Sequence, residues 1–132
     1  MIEVYIDGAS KGDPGPSGAG VYIKNGKEQH YYSFPIGVLS NHEAEFTALI
    51  KALEVCQNDF PDEILSVRSD SKLVVDSIEK SSTKQERFLP YLRKAEELSE
   101  TFPYFFIKWI PDKQNKHADE LARKAIHDQP QS

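Results

Sequence analysis

What this 132-residue chain lacks narrows its chemistry before anything else does. It has a single cysteine, Cys56, so no internal disulfide can form, and that thiol with four scattered histidines (His30, His42, His117 and His127) makes no zinc-ligand spacing. No apolar run approaches the length that crosses a bilayer, and Met1-Ile2-Glu3-Val4 carries neither a basic nor an apolar leader region. The expectation is a cytoplasmic protein without membrane contact. Basic charge is also scarce: 16 Lys and Arg against 21 Asp and Glu leave a net charge of −5, which argues against gripping a polyanion by clustered cations alone. Phosphate-cradling motifs are missing. Asp7-Gly8-Ala9-Ser10-Lys11-Gly12 lacks the Gly-Lys-Ser/Thr ending of a P-loop, and Gly18-Ala19-Gly20 never reaches a third glycine at dinucleotide-binding spacing. No small-molecule cofactor is expected.

What remains is the composition of one globular domain, 39% hydrophobic and 28% charged, long enough to close a core without disulfide or metal staples. The domain is expected over residues 1–128, with a frayed tail over 129–132. Cys56 continues the apolar pattern Leu49, Ala52, Leu53 and is expected to be a small core residue.

Ile2, Val4 and Ile6 alternate with Glu3, Tyr5 and Asp7, which is the period of a strand, and a Gly/Pro-rich turn follows. Residues 18–24 and 28–36 flank the hairpin signal Asn25-Gly26. From Ser40 the period becomes helical through Ala44, Ala48, Leu49 and Ala52, and Ser40-Asn41-His42-Glu43 has the form of a capping box. Residues 64–68 read as a strand, Asp70-Ser71 opens a short helix, 88–101 is helical with Pro90 in its first turn, 104–110 is a strand, and Leu121, Ala122, Ala125 and Ile126 mark a last helix. The order βββ-α-β-α-α-β-α is mixed α/β, and a right-handed crossover sets the first and fourth strands parallel and adjacent. Tyr104, Phe105, Phe106 and Trp109 are expected in the core or at its rim.

This layout brings Asp7 and Asp70 to one sheet edge. Glu45 is in phase with Ala48, Leu49 and Ala52, so it points with the apolar face rather than toward water, and Glu43 already serves the capping box. Asp119 stands in the first turn of the last helix. Each acid alone has an ordinary alternative: Asp7 as a turn residue, Asp70 as an N-cap, Glu45 and Asp119 as first-turn acids favoured by the helix dipole. Their convergence at the crevice where α/β sheets bind ligands points instead to a divalent cation, because carboxylates crowded together repel one another. Hard oxygen ligands suit Mg²⁺ or Mn²⁺, and two such ions serve phosphodiester hydrolysis.

Four ordered blocks carry a resemblance. Asp7-Gly8-Ala9-Ser10-Lys11-Gly12-Asp13-Pro14-Gly15, Asn41-His42-Glu43-Ala44-Glu45, Ser69-Asp70-Ser71 and Ala118-Asp119-Glu120-Leu121-Ala122 resemble the signature of type 1 ribonuclease H, over nearly the whole chain. The resemblance implies the ribonuclease H-like α/β fold, a five-stranded mixed sheet of three antiparallel then two parallel strands flanked by helices. It implies cleavage of the RNA strand of an RNA/DNA hybrid by a monomer, with Asp7, Glu45, Asp70 and Asp119 holding two Mg²⁺ or Mn²⁺ ions. It places Gly8, Ser10, Lys11, Gly12, Asn41 and Ser71 on the substrate. Three departures stand out. The segment between Ser81 and Phe88 carries only Lys84 and Arg87 beside Lys80, so the basic protrusion of some relatives is missing. The loop before Asp119 has no matching histidine, and Trp109-Ile110-Pro111-Asp112 has an acid where related short-loop members have arginine. The alternatives kept open are a weak or inactive nucleic-acid-binding module and a nuclease for structured RNA.

Overall fold

The computed structural model describes residues 1–128; the tail expected over 129–132 lies outside them. Strand β1 (Ile2–Ser10) pairs antiparallel with β2 (Gly15–Asn25), which pairs antiparallel with β3 (Glu28–Leu39). The β2–β3 hairpin pairs Asn25 with Glu28 and turns through Gly26-Lys27, one residue later than the Asn25-Gly26 signal suggests, with Gly26 at φ 62°. β4 (Leu65–Ser69) lies parallel to β1, and β5 (Phe105–Trp109) parallel to β4, giving the sheet order β3-β2-β1-β4-β5. This is the five-stranded mixed sheet that the motif order implies.

The helix α1 (Asn41–Asp59) starts where its sequence predicts. Ser40 accepts from the Glu43 amide at 3.2 Å while Glu43 accepts from the Ser40 amide at 2.9 Å, closing the capping box. Its buried stripe, including Phe46, Leu49, Leu53 and Cys56, packs on the sheet face carrying Ile2, Val4, Ile6, Val21, Ile23, Leu65 and Val67. α2 (Lys72–Lys80) lies against β4 and β5, a 3₁₀ turn (Glu86–Phe88) follows, and α3 (Leu89–Ser99) packs on α1. A second 3₁₀ turn (Asp112–Gln114) leads into α4 (Lys116–His127), which packs on the opposite face against β1, β2 and β3.

Small residues seat α4. A Cβ at Gly20 would stand 2.1 Å from the Ala118 carbonyl oxygen, and one at Gly18 2.2 Å from that of Ala122. The helix answers with its alanine stripe Ala118, Ala122 and Ala125, so backbone lies almost on backbone.

Some boundaries and burials depart from the sequence-based expectation. The ladder between β1 and β2 runs on to Ser10 and Ser17, so Gly8 to Ser10 are strand rather than turn. Tyr104, Phe106 and Trp109 are 62%, 54% and 44% exposed rather than core, while Phe105 and Ile107 are half-buried. The reason is topological: β5 is the outer strand, beyond the three strands that α4 covers, so the face carrying Phe106 meets water, while Trp109, on the other face, stands at the end of the strand.

Candidate active site

The last rung of the parallel β1–β4 ladder joins Ile6 to Ser69, and one step beyond it stand Asp7 and Asp70. Gly8 decides what approaches them. A Cβ there would lie 2.2 Å from the Ala44 carbonyl oxygen and 2.6 Å from the Glu45 amide nitrogen, so only glycine lets the first turns of α1 rest on β1. That contact brings Glu45 to the cluster, its side chain 17% exposed. From the other face, the seating of α4 brings in Asp119.

Electrostatics shows how close the four are. Burial, then the charge of Asp70, a hydrogen bond with Asp119 and the charges of Asp119 and Glu45 push the Asp7 carboxyl up to about 9, so it holds a proton at neutral pH. Asp70 is raised, chiefly by burial; hydrogen bonds from Asn115 and Asp7 oppose this, and Asp112 and Asp119 add to it. Glu45 is also raised by burial, against hydrogen bonds from Ser71 and His42. His42 Nδ1 lies 3.2 Å from Glu45 Oε1, and Arg123 Nη2 lies 3.2 Å from Asp119 Oδ2.

Asp70 is not the N-cap of α2. Ser71 is, accepting from the Val74 amide at 3.2 Å, which leaves the Asp70 carboxyl for the cluster. Similarly Ser40, not Asn41, caps α1; the Asn41 amide donates to Asp13 Oδ1 at 3.0 Å, tying the helix start to the β1–β2 turn. In that turn Ser10 Oγ lies 2.9 Å from the Leu39 carbonyl oxygen and also reaches that of Gly12, so this hydroxyl staples β1 to β3. Gly12 sits at φ 124°, and Lys11 is exposed.

The donor set, carboxylate oxygens, suits hard divalent cations. Among the described residues, no three such side chains already stand around a single point as metal ligands do. Asp7 is hydrogen-bonded with Asp70 and with Asp119.

Asn115, the residue before α4, is 1% exposed; its Nδ2 donates to the Ile6 carbonyl at 2.8 Å, and its Oδ1 is the one buried side-chain atom without a partner among the described residues. It ties the middle of β1, next to Asp7, to the start of α4, the helix of Asp119. Sequence reading assigned it no role, although its place four residues before Asp119 was a usable signal. Trp109 donates from Nε1 to the Asp70 carbonyl at 3.1 Å and carries Lys72 Nζ 5.4 Å from its ring, so this exposed indole buttresses the Asp70 corner.

A mixed β3-β2-β1-β4-β5 sheet with carboxylates from β1, α1, the end of β4 and α4 meeting at its edge defines the ribonuclease H class. Residues 5–125 match the family described as reverse transcriptase-like. The chain is 42% identical over 127 residues to the Enterococcus faecalis protein EbsB, which carries a hydrolase designation, covering 96% of this chain and 94% of that protein. It is 34% identical to ribonuclease HI of Halobacterium salinarum, covering 96% of this chain and 65% of that one, so it spans about two thirds of that relative. The crystal structure of ribonuclease H1 from that archaeon superposes with a TM-score of 0.90 at 32% identity, covering 97% of this chain and 98% of that one. LC11 ribonuclease H1 in complex with an RNA/DNA hybrid superposes at 0.89 with 34% identity, covering 96% and 97%. The chain belongs to the reverse transcriptase-like family, in its type 1 ribonuclease H branch.

Proposed function

We propose that this protein cleaves the RNA strand of RNA/DNA hybrids with the help of divalent cations held by Asp7, Glu45, Asp70 and Asp119. The observation that carries the reading is the meeting of these four acids at one sheet edge, close enough to raise Asp7 to about 9. Carboxyls so placed are poor neighbours without positive charge and good ligands with it. The hybrid bound in the LC11 relative supports the substrate class.

When bound, Mg²⁺ or Mn²⁺ supplies activation of a water and neutralisation of charge on the phosphate. The chain supplies placement. β1 and β4 fix Asp7 and Asp70 through their ladder, Gly8 admits Glu45, and the Gly18/Gly20 seat fixes Asp119. His42 and Ser71 hold the Glu45 carboxyl on the substrate side of α1. Of the substrate-contact candidates, Gly8, Lys11, Gly12 and Asn41 cluster near the start of α1, beside the edge where a sugar–phosphate chain would cross; Ser10 and Ser71 act from behind them.

The test is incubation of purified protein with a labelled hybrid under Mg²⁺ and separately Mn²⁺, beside Asp70→Asn. Metal-dependent cleavage of the RNA strand that Asp70→Asn abolishes is expected. Equal cleavage by the variant would place the activity elsewhere. A second reading, a weakly active or inactive hybrid-binding module, is favoured by one observation: Asp112 adds negative charge beside Asp70. Binding without cleavage under either metal would select it.

A further inference from the structure

A cavity of about 270 Å³ opens beside the carboxylate cluster, lined by Asp70, Asp112, Lys113, Lys116, Asp119 and Arg123. Two of its walls are proposed metal ligands, and three of its six lining residues are cations. Arg123 is paired with Asp119. Lys113 and Lys116 are exposed, and neither has a carboxylate within ion-pair distance among the described residues.

Their position opposes the dipole of α4. Lys116 is the first residue of α4, and Lys113 lies in the 3₁₀ turn just before it. A helix N-terminus carries partial positive charge and favours acids, and here the Asn115 side chain makes no capping hydrogen bond that would offset it. Two lysines at this end repel the helix dipole. The carboxylates of Asp70, Asp112 and Asp119 on the same walls offset part of that repulsion, and an anion resting on the lysine side of the cavity would be attracted by both ammonium groups and by the helix end together.

We propose that Lys113 and Lys116 hold a backbone phosphate of the strand being cut, next to the one at the carboxylate cluster, with Arg123 behind them. This rests on the ribonuclease reading above. The strand carries a charge about every 3.4 Å of helix axis, so a phosphate at the cluster brings a neighbour to its rim. On the α4 side this pair supplies grip that the short segment 81–88 does not. Asp112, on the same wall, opposes it. Grip and opposition share one cavity.

The experiment measures kcat and KM on a labelled hybrid, and hybrid binding by fluorescence anisotropy, across a salt series. The variants are Lys113→Gln/Lys116→Gln, Lys113→Arg/Lys116→Arg, Asp112→Asn, and Lys27→Gln at the distant β2–β3 turn. Expected for the double Gln variant is a rise in KM and in Kd of about 5-fold or more with kcat retained, and a salt slope shallower by about 1. The double Arg variant keeps wild-type values, Asp112→Asn binds more tightly, and Lys27→Gln is unchanged. An unchanged KM, Kd and salt slope in the double Gln variant, or an equal loss in Lys27→Gln, would overturn the proposal. Absence of wild-type cleavage would sink the ribonuclease reading alone, because the salt slope of binding still decides the role of the lysines.

Discussion

Asp7 pays for the site in folding stability, and the sign of that cost is testable. A carboxyl raised to about 9 in the folded protein, from an ordinary value near 4 when unfolded, binds an extra proton in the folded state between those two values. The metal-free protein therefore loses stability as pH rises from about 4 through 9. Divalent cations remove the penalty, so thermal scans with Mn²⁺ against chelator are expected to show a gain in Tm that is small at pH 5 and large at pH 8. Asp7→Asn in the metal-free protein is expected to raise Tm by on the order of 5 °C at pH 8 while abolishing cleavage. An equal metal effect at both pH values would contradict the assignment. Glu45 and Asp7 were legible from the sequence because phase and strand alternation report where a side chain points. Asp112 stood out only as a departure from the family pattern and the two lysines not at all, because a 3₁₀ turn has no periodicity from which to read a common wall.

At the scale of elements, glycines set the distances. Gly8 reads in the sequence as a turn residue and Gly20 as an ordinary strand position, yet both lie within strands directly under α1 and α4. Close approach of two backbones leaves no mark in a single chain beyond the glycine itself. Gly8→Ala or Gly20→Ala forces a methyl group against a carbonyl, and each is expected to destabilise the protein by about 2–3 kcal/mol in denaturant unfolding. Each is also expected to cut kcat by displacing Glu45 or Asp119, whereas Gly26→Ala, with open space around its Cβ, is expected to cost stability through its φ of 62° and leave kcat intact. The strand β5 teaches the converse. Its hydrophobic run was visible, but its exposure depends on being outermost, which only the assembled sheet order decides.

The whole molecule carries a net charge of −5, the wrong sign for a protein that meets a polyanion. The fold partitions that charge: acids crowd the sheet edge, where cations neutralise them, and lysines stand on the adjoining wall. Hybrid binding is accordingly expected to fall at least 10-fold when chelator removes divalent ions at constant ionic strength, measured by anisotropy. Asp70→Asn should blunt this dependence. Binding that ignored the chelator would mean that the substrate is held elsewhere.

The glycine–alanine seat beneath α4 has a consequence for divergence. Where two main chains touch, no side chain is left to be resized, so the spacing between Asp7 and Asp119 is insulated from changes in the aliphatic interior on the other face of the sheet. Interior residues there are free to drift and alter melting behaviour while the reactive corner keeps its dimensions.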